Sequence, residues 1–148
     1  VSIAEDVEAL RRIKLFANIE VSKLKLLAFT SERVGFEAGA VLFRQDEVAD
    51  AAYVVLEGEA EIIVETPQGP VVVAVVEKNG VLGEIAILCD VPRTATVRAR
   101  TQLRCLRVSK EQFFRLITEF PQMAVEIMRE LAQRLEKTTR ELGEARGG

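Results

Sequence analysis

Tyr53-Val54-Val55-Leu56-Glu57-Gly58-Glu59-Ala60-Glu61-Ile62-Ile63-Val64-Glu65-Thr66-Pro67-Gln68-Gly69-Pro70-Val71-Val72-Val73-Ala74-Val75-Val76 decides the fold class. Its three runs of mostly β-branched side chains are too short for helices, and Glu57-Gly58 and Thr66-Pro67-Gln68-Gly69-Pro70 break them with turn-forming residues. The second break reads as a hairpin loop that pairs residues 60–64 with 71–76 as antiparallel neighbours. Working outward, residues 41–43, 94–100 and 103–108 have the same character, and Glu37-Ala38-Gly39 supplies another turn. Short strands at nearly regular spacing from Arg33 to Val108 mean a sandwich or barrel, and an antiparallel β-roll or jelly roll is its simplest closure.

Helical periodicity flanks this β zone on both sides. Ser2-x-x-Glu5 reads as a capping box, and Val7, Leu10, Ile13 and Leu15-Phe16 give an apolar face to a helix over residues 3–14. Ser22 caps a second, shorter helix that carries Leu24, Leu26, Leu27 and Phe29 and ends near Thr30. After Val108, Ser109-x-x-Gln112 opens a helix with Phe113, Leu116, Ile117 and Phe120 on its apolar face. Pro121 starts the last helix, roughly 20 residues long, whose stripe of Ala124, Ile127, Met128, Leu131, Leu135 and Leu142 stops at Gly143. That stripe packs on the barrel, dimerises, or closes as a lid.

Composition excludes much chemistry. With no histidine among 148 residues, Ser-His-Asp and Cys-His machinery and His-rich metal sites are absent. Cys89 and Cys105 are too few for a disulfide framework or a four-thiolate metal site, and both read as structural, so a reducing cytoplasmic setting is expected. Twenty basic against 23 acidic residues, net charge -3, argue against a dedicated nucleic-acid surface. The longest apolar run, residues 71–76, has six residues, far short of the roughly 20 needed to span a membrane. A start at Val1 and an end in Arg-Gly-Gly read as a processed or excised piece, so the setting is the cytoplasm or the cytoplasmic side of a parent membrane protein.

One segment departs from the strand rhythm. Gly80-Val81-Leu82-Gly83-Glu84-Ile85-Ala86-Ile87-Leu88 places a glycine and an acid directly before a short apolar helical turn. Gly83 lets the backbone approach a ligand, and the free N–H groups of Glu84, Ile85 and Ala86 then point outward with the positive end of the helix dipole behind them. Ten residues after Gly83 comes Pro92-Arg93-Thr94-Ala95-Thr96-Val97, where Arg93 offers a planar fork suited to phosphate and Thr94 starts the next strand. Singly, each residue has a commonplace explanation in a turn or on a solvated surface. Together they propose phosphate binding.

Gly83-Glu84-x-Ala86 followed by Pro92-Arg93-Thr94-Ala95-Thr96 closely resembles the phosphate-binding cassette of the cyclic nucleotide-binding domain family, the type found in catabolite activators, cyclic-nucleotide-gated channels and cyclic-nucleotide-dependent kinase regulators. Gly39-Ala40-Val41-Leu42-Phe43, Asp50-Ala51-Ala52-Tyr53-Val54-Val55-Leu56-Glu57-Gly58 and the Phe120-Pro121 break extend the resemblance from about Leu15 to Leu142. It implies one domain over residues 1–148: N-terminal helices at 1–30, a β-roll at 31–108 with its cassette at 80–97, and C-terminal helices forming a lid at 109–142. It further implies that Glu84 accepts a hydrogen bond from the ribose 2′-hydroxyl and that Arg93 pairs with the cyclic phosphate. The amides of Ala86 and Ala95 would donate to that phosphate. Thr94 would contact phosphate and a syn guanine amino group, Val72, Val73, Leu82 and Val97 would line the base and sugar, and Arg134 would cover the purine, with Leu131 and Leu135 as apolar cover.

The function so implied is a non-enzymatic cyclic nucleotide sensor, cAMP ahead of cGMP, with no metal. Its lid would signal to an effector in a longer parent chain or in a separate protein. A homodimer through the last helix is expected, and neither nucleic-acid contact nor membrane insertion by this chain. The alternatives are a cGMP module and a dimerisation or interaction domain that keeps the fold without binding nucleotide. A cupin-type enzyme would share the β architecture, but its metal needs histidines.

Overall fold

The computed structural model of the protein describes residues 3–13 and 16–147, with side chains through Glu144. Ser2 of the first capping box, and Lys14 and Leu15 at the expected end of the first helix, lie outside the described residues, as do Val1 and Gly148. The first helix, α1 (Ile3–Arg11), is shorter than its periodicity suggests. Arg12 and Ile13 already bond back to the carbonyls of Ala9 and Leu10, a tightening that rolls Ile13 into the core. The second helix, α2 (Val21–Thr30), begins before Ser22; Glu20 is its N-cap, with no side-chain cap bond. The amides of Lys23 and Leu24 bond the Glu20 carbonyl instead, and Ser22 sits inside the first turn. Leu24, Leu27 and Ala28 are buried, whereas Leu26 and Phe29 face solvent.

Eight antiparallel strands follow among the described residues: β1 (Glu32–Phe36), β2 (Val41–Phe43), β3 (Ala51–Glu57), β4 (Ala60–Thr66), β5 (Gly69–Val76), β6 (Val81–Leu82), β7 (Thr96–Ala99) and β8 (Leu103–Ser109). They form two four-stranded sheets, β1-β8-β3-β6 and β2-β7-β4-β5, the expected β-roll. The hairpin is tighter than the five-residue break suggests, because Thr66 pairs with Gly69 and its Oγ1 donates to the Gly69 carbonyl at 2.6 Å, leaving only Pro67 and Gln68 in the turn. The strand after Arg93 starts at Thr96, not Thr94, where the Thr96 hydroxyl accepts the Gln45 amide at 2.9 Å. β1 and β6 escape a sequence reading because β1 alternates over only four residues, one of them Gly35, and β6 is two residues long; β8 and β3 hold them by ladder pairing. β5, an edge strand, leaves most of its valines exposed.

The short helix α3 (Glu84–Cys89) interrupts the sheets between β6 and β7, and α4 (Lys110–Glu119) and α5 (Pro121–Gly147) close the chain. Ser109 caps α4 by accepting the Gln112 amide at 3.2 Å, but the Gln112 side chain reaches across to the Thr30 hydroxyl of α2 rather than back to complete a box. α5 runs through Gly143 to Gly147, 27 residues or ~40 Å at 1.5 Å each. Its apolar stripe divides. Met123 and Ile127 are buried and Leu131 packs against the body, while Val125, Met128, Leu135 and Leu142 face solvent.

Two cores result. Phe43, Tyr53, Val55, Leu82, Val97 and Leu103 fill the space between the sheets. A second core joins α1, α2, α4 and the start of α5 to the back of β3 and β8, and it also takes in Ala86 and Ile87 of α3. No helix among the described residues is long and apolar enough to cross a membrane.

Candidate functional site

α3 starts where it does because Gly83, at φ 79°, adopts the left-handed conformation that glycine tolerates and turns the chain out of β6. A Cβ at this position would also come within 2.4 Å of an Arg93 guanidinium nitrogen. The close approach that glycine permits here is therefore to Arg93. The Arg93 main chain is held from the opposite side: its amide donates to the Glu47 carbonyl, its carbonyl accepts the Asp46 amide, and both bonds are 2.8 Å. The side chain is then drawn inward until only 2% of it is exposed. One terminal nitrogen donates to the Gly83 carbonyl at 2.9 Å and the other to the Ala51 carbonyl at 2.7 Å. The guanidinium carbon lies 3.8 Å from the centroid of the Phe43 ring, and Asp50 stands 3.8 Å from the outer nitrogen. Its Nε is buried without a partner. Burial lowers the Arg93 pKa, and Tyr53, Asp50 and Glu47 oppose that fall.

A cavity of about 390 Å³ opens over this arginine, within the ~300–1,000 Å³ of small-molecule sites. It gathers Gly83, Glu84, Ile85 and Ala86 from the α3 turn, Arg93, Thr94 and Ala95 from the following loop, Leu82 and Val97 from β6 and β7, Val73 from β5, and Arg134 from α5. Of the residues expected at the site, Val72 is absent from this lining, as are Leu131, which packs against the helical core, and Leu135, which faces solvent. A register shift opposite Ile62 and Ile63 makes Val73 the extra residue of β5, so Val73 and Ala74 both line the cavity, whereas Val72, paired with Ile63, does not. Phe43, Ile62, Val76 and Val81 complete the wall without having been singled out in the sequence. Ile62 and Val76 were accessible through strand alternation, but Phe43 carries no local signal.

The electrostatics are mixed within a small volume. Burial raises the Glu84 pKa above its usual 4.5, the glutamate's own amide and the charge of Arg134 pull it back, Glu130 adds to the rise, and Arg93 lowers it again. The first turn of α3 also presents amides that the helix itself cannot satisfy. The site therefore combines anion-seeking groups, one hydrogen-bond-accepting acid and an apolar wall. Cys89 is exposed at the far end of α3, and Cys105 is buried with its thiol pushed up to about 12 by burial, which makes it inert.

Residues 33–120 match the family model described as "Cyclic nucleotide-binding domain". The chain is 32% identical over 114 residues to a cAMP-dependent protein kinase regulatory subunit of Blastocladiella emersonii, covering 73% of this chain and 27% of that protein. It is 34% identical over 109 residues to the HTH-type transcriptional regulator Cmr of Mycobacterium tuberculosis, covering 74% of this chain and 45% of that protein. It thus spans less than half the length of either curated relative. The sensor domain of the transcriptional regulator DNR from Pseudomonas aeruginosa shares its structure at a TM-score of 0.82, with 26% identity over 94% of both chains.

Proposed function

The chain belongs to the cyclic nucleotide-binding domain family, and on that premise we propose that it is a non-catalytic regulatory module that binds a cyclic nucleotide, cAMP ahead of cGMP, over Arg93 and answers by resetting α5. One observation carries the reading: a deeply buried guanidinium has its Nε without a partner beneath a cavity. Buried polar groups almost always find partners, and a phosphate oxygen supplies a charge-assisted one. The amides of Ala86 and Ala95, each with a small side chain, donate to the same phosphate. Glu84 accepts the ribose 2′-hydroxyl, and Leu82, Val73 and Val97 take the apolar faces of sugar and base. Thr94 keeps a guanine contact available, so cGMP binds second; the cAMP-dependent name of one relative supports this order.

Ala86 and Ile87 supply the route to the lid. Both are buried in the core that contains Leu116, Met123 and Ile127, so a displacement of α3 toward a bound phosphate requires α4 and the root of α5 to repack. The nucleotide shifts α5 only by its differential affinity for the two lid positions, about 1.4 kcal/mol for each tenfold difference. Arg134 forms the underside of that lid, and Leu131 packs against the helical core. The effector lies in a longer parent chain or in a separate cytoplasmic protein.

The outward stripe of α5 supports a homodimer. Val125, Ala132 and Thr139 alternate with Met128, Leu135 and Leu142 at spacings of three and four, the a/d pattern of a coiled-coil seam, and all six are exposed. Calorimetry with cAMP and cGMP tests the main reading. One site per chain with tighter cAMP binding is expected, and a folded protein that binds neither nucleotide would overturn it.

A further inference from the structure

Phe43, Tyr53 and Phe36 form an aromatic column against Arg93. We propose that Phe43 is the positioning residue for this arginine, a π-face that sets the plane of the guanidinium and thereby aims its remaining N–H groups into the cavity; this rests on Arg93 being the anion-binding group. Three observations converge on the ring. The guanidinium carbon stands 3.8 Å from its centroid, which is the contact distance of a stacked planar cation. The ring is itself backed by Tyr53, stacked at 6.0 Å and 29°, and Tyr53 meets Phe36 edge-on at 6.3 Å and 70°, so Phe43 cannot retreat from the guanidinium. The pairing of the three-residue strand β2 with β7 also shifts register between Val41 and Phe43, an irregularity of the kind that re-aims a side chain beside a site.

The consequence is geometric. The guanidinium is planar, so its N–H groups share one plane, and the Gly83 and Ala51 carbonyls take two of those directions at 2.9 and 2.7 Å. The ring fixes rotation about the remaining axis, which the two carbonyls alone leave free, and so presents the unpartnered Nε side to an anion. An aliphatic side chain of similar volume would fill the same space without this attraction.

The test replaces Phe43 with 4-fluoro-, 3,5-difluoro- and 3,4,5-trifluorophenylalanine, which withdraw charge from the ring face at nearly constant volume, and with leucine. Cyclic nucleotide affinity should weaken stepwise along the fluorinated series and by about tenfold in Phe43→Leu, with Phe43→Tyr close to the parent. Equal affinity across the series overturns the proposal. Independently of any nucleotide, the Arg93 Nε–H resonance of the ligand-free protein should be displaced by the ring current and should return to an ordinary position in Phe43→Leu; an undisplaced resonance in the parent also overturns it. A parent protein that binds no cyclic nucleotide would defeat the reading of the site, and the role of Phe43 would then be decided by the guanidinium resonance alone.

Discussion

Arg93 and Arg134 line the same cavity but are held in opposite ways. Arg93 is buried, bonded to two carbonyls and stacked on a ring, whereas Arg134 stands exposed on α5 at the cavity's edge. The floor at Arg93 is thus organised by fixed contacts, and the roof that we propose for α5 is less firmly held at Arg134. A preformed floor lowers the ordering cost of binding, while a loosely held roof can exchange between positions at little cost. The same division appears along α5 itself, where Met123 and Ile127 are anchored and Leu135 and Leu142 are not.

Arg93→Ala should break the floor. Loss of one member of a buried charge-assisted pair typically costs about 3–5 kcal/mol, so nucleotide affinity is expected to fall by two or more decades in calorimetry. The same change strips two carbonyls of their donors at about 1–3 kcal/mol each, and urea unfolding should therefore show a less stable ligand-free protein. Arg93→Lys keeps the charge without the fork and should also lose most of the affinity.

An effect of similar size is expected on the outer face of the roof. Leu135→Asp puts a charge on the proposed seam in both chains and should weaken dimerisation by roughly a thousandfold in sedimentation equilibrium, the scale of ~2 kcal/mol for each of two buried leucines. Nucleotide affinity per chain should change little, and an unchanged dimer would remove α5 as the interface.

Glu84 lies between floor and roof, and its substitution separates stability from binding. Because burial raises its pKa, the ligand-free protein loses stability as pH rises from the unfolded value near 4.5 through the raised folded one, and the penalty is complete above that window. Glu84→Gln should therefore unfold at a higher temperature than the parent at pH 7 and bind cyclic nucleotide about tenfold more weakly, having lost a charged acceptor. A ribose hydroxyl at the proposed contact would favour the carboxylate, so the parent's affinity should decline as pH falls through the same window, and that of Glu84→Gln should not. Identical pH profiles would remove Glu84 from the ribose contact.

The least effect belongs to Arg134→Ala. A solvated lid arginine contributes a few tenths to about 1 kcal/mol, so stopped-flow dissociation should speed up only a few-fold. A change as large as that of Arg93→Ala would erase the contrast between the two arginines.

Most of the β-roll was legible because alternation, turn residues and the cap at Ser109 are local signals, and the structure keeps the strands at residues 41–43 and 103–108 almost as read. Glu32–Phe36 and Val81–Leu82 were not legible, since only pairing with a distant partner makes them strands. Ser22 illustrates the converse, a good capping residue displaced when the preceding turn buries Ile19 and brings the Glu20 carbonyl to the helix start. The Glu84 and Arg93 segments stood out because the proposed anion site combines particular residue types at fixed separation, whereas Phe43 did not, its proposed role depending on a guanidinium fifty positions further along the chain.

By itself the sequence determined which residue types are available for chemistry: no imidazole, one acid and one arginine beside a glycine turn, and an apolar helix to follow. Tertiary structure decided where they act. It buried Arg93 under Gly83, left Val72 out of the cavity lining while admitting Val73, and divided the stripe of α5 between body and solvent. Each of these outcomes depends on which surfaces meet across the two sheets and the helical core, and packing between segments distant in sequence leaves no periodic trace in any one of them.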